Sequence, residues 1–383
     1  MSARLTPAVV VVGRFPPPLD GQALATERLA SLLGAGRRVV RVDVGAPEGA
    51  HVVTTAQAGR VGHFLRQRAR LAAALAAEPG AAVLWPSVSP SLAGHARDRL
   101  LVAPAFGPSR PVVAVVHRGD FADLFSRAAT RWSAGQMMRR LAAVVFLTEG
   151  LAAACARWIP DAKRVVIPNT IDDAAIPAPA EVAAAQTARA ARLADPRPRV
   201  RLLYLSGLVP SKGYPDVLEA LAVLRHRGVD ATATFAGRWA SDEAERAFRA
   251  RVAALGVEAH VALPGAVGRE AVRGLMLAHD VFVLPTAYPF EAQPLTVIEA
   301  LASATPVVVT RHAGLPEMVA GGREAEFVPH GSPETIADAV LALAARWPAA
   351  SHQARARFDA AFAPASVRGL WDARLAALPP ARG

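Results

Sequence analysis

The stretch Tyr288-Pro-Phe-Glu291-Ala-Gln-Pro-Leu-Thr-Val-Ile-Glu299 holds two carboxylates eight residues apart, just after the apolar run 281–284. If all eight residues were helical, the carboxylates would stand about 12 Å apart along the axis and about 80° apart around it. Pro294 suits a first helical turn, so Glu291 is expected before the helix and Glu299 inside it. One carboxylate then reaches out at the helix N-terminus, and the other accepts hydroxyl hydrogens one turn deeper. Backbone N–H groups around Ala292, Gln293, Pro294 and Leu295 would meet phosphate oxygens. The spacing alone also fits a solvated Glu followed by an ordinary helix-surface Glu.

Only two lysines, Lys163 and Lys212, stand among the 43 basic residues. Lys212, in Pro-Ser-Lys-Gly after the apolar run 202–205, places an ammonium where it can neutralise a diphosphate; it also fits a surface lysine in a turn. In the first half, His117 directly follows the valine-rich run 112–116 and precedes Arg-Gly-Asp-Phe. An imidazole there can hydrogen-bond a ligand, or simply end a strand at the surface. The loop Gly13-Arg-Phe-Pro-Pro-Pro-Leu-Asp-Gly21-Gln22 leads into a helix and offers the amides of Gly21 and Gln22 to a phosphate. No Asp-x-Asp pair follows a strand, so no metal is expected, and Asp172-Asp173 reads as structural. Weak matches to G-x-G-x-x-G count against a dinucleotide oxidoreductase.

These residues need elements to position them, and the chain supplies a repeated strand–helix alternation. Short β-branched runs occur at 8–12, 39–44, 82–85, 112–116, 144–147 and 165–168, then again at 202–205, 231–236, 261–263, 281–284, 307–310 and 326–328. Runs without polar alternation are the mark of parallel strands buried on both faces. Helices are expected between them at 22–33, 215–227, 242–255, 270–278, 294–303 and 333–346. An Ala- and Pro-rich break separates the two series. The fold class is therefore α/β, two Rossmann-like doubly wound domains facing across a cleft. The expected boundaries are 1–175, a linker at 176–198, and 199–365. Ligands of such sheets bind at the carboxyl ends of the strands, where the residues named above fall.

The 383 residues carry a net charge of +11, of which residues 1–180 hold +9. That asymmetry points to an anionic partner. No nucleic-acid-binding signature accompanies it, so no nucleic acid is expected. An anionic membrane surface is the other candidate. A helix at 59–77 with Arg66 and Arg70 opposite Val61, Phe64 and Leu65, and with Arg68 on the apolar side, reads first as a surface helix packed on its own domain and alternatively as a membrane-surface helix. Because nearly all the basic residues are arginine, coding bias also accounts for part of the charge. The single Cys155 excludes an intrachain disulfide framework. No apolar run is long enough to span a bilayer, so a cytoplasmic protein is expected, peripheral on the inner face of the plasma membrane if the basic half binds lipid.

Three segments appear in order: Tyr204-Leu-Ser-Gly-Leu-Val-Pro-Ser-Lys212-Gly-Tyr, the Glu291…Glu299 stretch, and Thr305-Pro-Val-Val-Val-Thr-Arg-His-Ala-Gly314-Leu-Pro-Glu317. Together they resemble the retaining GT-B glycosyltransferases of the large group 1, GT4-like family. The resemblance covers essentially the whole second half, with thinner support in the first. It implies a nucleotide-diphosphate sugar donor, UDP- or GDP-linked, and a lipid-linked or saccharide acceptor, with neither cofactor nor metal. It places Glu291 beside the donor sugar, Glu299 on the nucleotide ribose and Lys212 on the leaving diphosphate. His117 is similar to the family's cleft histidine, and the loop at Gly21 and Gln22 to its Gly-rich loop, though Gln22 stands where a second glycine is common. Val267 is assigned by the resemblance to the donor side. A segment near 366–383 is expected to return to the first domain as a helix.

The chain departs from the family in two further places. Ala292, Gln293, Pro294 and Leu295 replace a glycine-rich stretch. Gly207 stands where an arginine usually precedes the leucine, so half of the expected diphosphate clamp is missing; Arg238, ahead of Arg118, is the expected substitute. The function implied is sugar transfer to an acceptor hydroxyl with retention, in bacterial cell-envelope or exopolysaccharide synthesis. A catalytically weakened nucleotide-sugar-binding protein and a nucleotide-sugar epimerase are the alternatives.

Overall fold

The computed structural model describes residues 8–17, 21–45, 57–86, 88–107, 110–195 and 199–379. The chain divides into two compact units, Met1–Asn169 with Pro364–Gly383, and Thr170–Ala363. In the first unit six parallel strands form one sheet: β1 Val9–Gly13, β2 Val39–Asp43, β3 Ala82–Trp85, β4 Val112–Val116, β5 Ala143–Phe146 and β6 Arg164–Val166. Their order is β2-β1-β3-β4-β5-β6.

The valine runs explain why this sheet is covered on both faces. Successive side chains of a strand point to opposite faces. Val10 and Val12 enter one core with Leu71, Leu101 and Met137, contributed by the helices Gln57–Ala77, Leu92–Val102 and Ala128–Arg140. Val9 and Val11 enter the other with Leu29 and Leu33 of the helix Gly21–Gly34. That second core is completed by Val367 and Trp371 of the C-terminal helix Pro364–Ala376, so the chain's last helix does return to the first unit. Arg368 Nε donates to Leu32 O at 3.1 Å and Arg37 pairs with Asp372, fastening the returned helix.

The second unit holds β7 Arg199–Leu205, β8 Asp230–Ala236, β9 Val261–Gly265, β10 Val281–Leu284, β11 Val307–Thr310 and β12 Ala325–Val328, again parallel, in the order β12-β11-β10-β7-β8-β9. Strand order reverses between β7 and β10. In doubly wound sheets that reversal opens a crevice at the carboxyl ends of the two strands.

The segment 176–198, expected as a linker, is mostly the helix Pro179–Leu193, and it belongs to the second unit, whose first residue is Thr170. Arg189 explains why it is not free. Its buried guanidinium donates to His279 O at 3.0 Å, Ser303 O at 3.0 Å and Thr305 Oγ1 at 2.8 Å, and lies 4.8 Å from the Trp347 ring centre. Burial lowers its pKa to about 10, so it stays charged at neutral pH. Beside it, the buried Asp280 accepts from Arg201 N at 2.8 Å and from Arg192. This polar node sits at the amino end of β10, opposite the end where chemistry is expected.

Candidate functional site

β10 runs beside β7, with Val281 opposite Leu202 and Phe282 opposite Leu203, so the loops that follow them emerge side by side. The loop after β7 folds into a short helical turn, Pro210–Lys212, closed by Gly213 at φ +85°. A Cβ at that position would come 2.5 Å from Pro285 O, so glycine is needed both for the left-handed backbone and for the approach of the two loops. Ala287 N donates to Ser211 O at 2.8 Å across the same seam.

The seam brings two of the expected site residues together. Lys212 Nζ lies 3.5 Å from Glu291 Oε2, in an ion pair whose geometry leaves that buried oxygen without a hydrogen-bond donor. Nζ also stands 4.9 Å from the centre of the Tyr288 ring. The Tyr288 loop is braced from β11: Thr310 Oγ1 donates to Thr286 O, Thr286 Oγ1 accepts from Tyr288 N at 3.0 Å, and His312 Nε2 meets Tyr288 O at 2.8 Å. Gly314 N donates to Ala292 O at 3.0 Å. Tyr288 was not singled out from sequence. An aromatic just past a buried strand, in a chain with three tyrosines, was the available signal.

Ala292 and Gln293 are buried, and Pro294 is the N-cap of the helix Leu295–Ala302, one residue earlier in role than its expected place in the first turn. Glu291 thus precedes the helix and the half-buried Glu299 lies inside it. No side chain caps the helix, whose first N–H groups are the donors a phosphate would use.

Gly207 is exposed, and a Cβ there would meet nothing within 4 Å. Its loop is zipped to the one after β8: Leu208 N donates to Arg238 O at 2.9 Å, and Ala240 N to Leu208 O at 3.2 Å. At Gly237, φ +150°, a Cβ would fall 1.8 Å from Ser206 O. Arg238 is therefore carried next to the Gly207 position, exposed and without a carboxylate partner among the described residues. Val267 is not brought to this cluster by any contact; it packs half-buried against the second unit's hydrophobic core, in the turn after the edge strand β9.

In the first unit, His117 directly follows β4. Both ring nitrogens are buried and have no hydrogen-bond partner among the described residues, and desolvation drives its pKa down to about 4. The ring is neutral at physiological pH, with one donor and one acceptor unused. The neighbouring Arg118 is held in a fork by Asp120, at 2.8 and 2.7 Å, which makes it a poor substitute for a missing phosphate ligand. Gly21 is exposed at the start of its helix, and Gln22 Nε2 donates to Pro86 O at 3.4 Å, tying the loop after β1 to the end of β3. Among the described residues no three His, Cys, Asp or Glu side chains are grouped to hold a metal ion.

Two doubly wound units in one chain, the last helix returned to the first, define the GT-B architecture of glycosyltransferases. HepE of Anabaena, solved with UDP and glucose, superposes with a TM-score of 0.72 over 97% of this chain and all of its own, at 17% sequence identity. Residues 187–359, most of the second unit, match the family described as "Glycosyl transferases group 1". Mannosylfructose-phosphate synthase of Agrobacterium fabrum is 38% identical over 131 residues, 33% of this chain and 28% of its own length. The putative colanic acid biosynthesis glycosyltransferase WcaL of Salmonella typhimurium is 28% identical over 144 residues, 36% of this chain and 34% of its own. The chain thus matches about a third of the length of these curated relatives.

Proposed function

We propose that the protein transfers a sugar from a UDP- or GDP-linked donor to an acceptor hydroxyl, with retention at the anomeric carbon, in the synthesis of a bacterial surface polysaccharide. The observation that carries this is the Lys212–Glu291 pair at the strand-order reversal of the second sheet. Lys212 neutralises the leaving diphosphate together with the N–H groups that open the helix Leu295–Ala302. The Glu291 oxygen that accepts no hydrogen bond among the described residues takes a sugar hydroxyl, and Glu299 takes the ribose. Retention follows a front-side path in which the departing phosphate receives the acceptor's proton, so no protein base is required. His117, on the first unit, is neutral and offers a ligand hydrogen bonds rather than charge. The polysaccharide setting is supported by relatives such as WcaL, and the nucleotide by the UDP seen in HepE.

The test is a transfer assay with UDP-glucose and GDP-mannose against mixed saccharide and lipid-linked acceptors. Lys212→Ala should lower turnover at saturating donor by about a hundredfold. Glu291→Gln should lose turnover with nucleotide-diphosphate affinity kept. Donor binding without transfer in the wild-type chain, or unchanged turnover in Lys212→Ala, would overturn the assignment.

A further inference from the structure

We propose that the outer side of the helix layer Gln57–Ala77, Leu92–Val102 and Ala128–Arg140 in the first unit is a docking surface for an anionic lipid bilayer. The inner sides of these helices lie on one face of the first sheet, through residues such as Leu71, Leu101 and Met137. The helix Leu92–Val102 touches both of the others, so the three form one continuous layer.

Their outer sides are unusual in two respects. Val61, Leu65, Leu92, Leu100 and Trp132 are between 55% and 71% exposed, and among the described residues only Phe290 and Leu370 join them as exposed large apolar side chains. Scattered exposed leucines need no explanation, but five gathered on one layer do. The charge is just as one-sided. The three helices carry nine arginines and a single acid, Asp98, which is buried and bound by Arg97. Arg66, Arg68, Arg70, Arg99 and Arg139 are exposed with no carboxylate partner among the described residues. The second unit treats its surface arginines differently: on the helix Asp242–Ala254, Arg249 pairs with Glu245 and Arg251 with Glu219.

Unneutralised guanidinium groups interleaved with exposed aliphatics and a tryptophan fit the headgroup boundary. There, arginine meets lipid phosphate while Leu, Val and Trp enter the acyl edge. A second copy of the chain is disfavoured, because the face would oppose its own net positive charge, nine arginines against one acid. Nucleic acid would satisfy the arginines but leave Val61, Leu65, Leu92 and Leu100 facing water. No described helix is long and apolar enough to cross the bilayer, so the contact is peripheral. The surface is independent of the sugar-transfer assignment, since it lies on the first unit and uses none of the site residues.

Co-sedimentation of the full chain with phosphatidylcholine vesicles, and with phosphatidylcholine–phosphatidylglycerol vesicles, tests it. Binding is expected to the anionic vesicles only and to fall as salt is raised. The double variant Arg66→Glu, Arg70→Glu should lower the partition constant at least about 25-fold, at about fivefold for each charge removed. Trp132→Ala with Leu65→Ser should weaken binding to the same vesicles while leaving its salt dependence in place. All four side chains are exposed, and an unchanged near-UV spectrum checks that the variants fold. Equal binding to both vesicle types, or anionic binding unchanged in both variants, would overturn the proposal. So would retention on DNA without vesicle binding, or a dimer dissolved by Trp132→Ala.

Discussion

At the scale of single residues, the chain uses burial in two ways. His117 and His279 are both held near pKa 4 by desolvation, yet among the described residues only His279 has hydrogen-bond partners, Leu275 O at 2.7 Å and Thr234 Oγ1 at 2.8 Å. His279 is structural, next to Asp280 in the node that fixes the Arg189 helix, whereas His117 directly follows β4 with its nitrogens unused. Both are neutral in the folded chain down to about pH 4, while the unfolded chain protonates them below about 6.5. The unfolded state therefore binds more protons between pH 6.5 and 4, and stability falls as pH drops through that window. Above 6.5 the contribution is constant. Each histidine should account for roughly 3 kcal/mol across the window. Urea denaturation at pH 7 and pH 5 checks this: His279→Asn should lose less stability between the two pH values than the parent chain. An equal loss would mean that His279 is protonated in the native state.

At the scale of elements, the strands were legible and the site's closeness was not. All twelve strands overlap the short runs that predict them. β1, β4, β10 and β11 are uninterrupted because a strand buried on both faces leaves no room for polar alternation, whereas β8 alternates Ala with Thr and the edge strands β2 and β9 are partly exposed. The helices Leu92–Val102, Ala128–Arg140 and Trp347–Ala361 were not read, since their Ala- and Arg-rich sequences show little periodicity. Lys212 and Glu291 were each chosen from sequence, but that they meet depends on β10 lying beside β7, which no local pattern states. The seam itself makes a prediction. Gly213→Ala places a Cβ 2.5 Å from Pro285 O at φ +85°, so the loops must part. It should cost about 1–3 kcal/mol of stability and weaken donor affinity with it, as thermal shift with and without nucleotide diphosphate would show. Unchanged affinity would mean the pair forms without the seam. At Gly207 the expectation is reversed, because a side chain there meets nothing within 4 Å. If Arg238 stands in for the family's arginine, Gly207→Arg should restore the donor affinity lost in Arg238→Ala. Failure of both changes to move affinity would remove Arg238 from the site.

At the scale of the whole molecule, the two units are built on different plans. The second is continuous in sequence, and its sheet is covered on both faces by its own helices. Its entry and exit strands of chain are tied together, with Thr170 Oγ1 donating to Phe362 O at 2.6 Å. The first unit is discontinuous: the core around Val9, Val11 and Leu29 is closed by Val367 and Trp371, from beyond the end of the second unit. Cutting the chain at Ala363 therefore opens that core to water where Val367 and Trp371 packed, leaving only the helix Gly21–Gly34 over this face of the first sheet. Exposing apolar side chains costs about 25 cal/mol per Å², so the loss of a buried Trp and Val is a large fraction of a domain's marginal stability. The fragment Thr170–Ala363 should unfold cooperatively by itself, and a nucleotide-diphosphate sugar at a hundred times its Kd should stabilise it by about 2.7 kcal/mol. The fragment ending at Asn169 should do neither, and should regain a cooperative transition when the 364–376 segment is fused back through a flexible linker. A cooperative first unit lacking that helix would show that the Val9–Val11 face is stable without it, and a second unit that melts without a transition would show that its polar node and tied ends are insufficient alone.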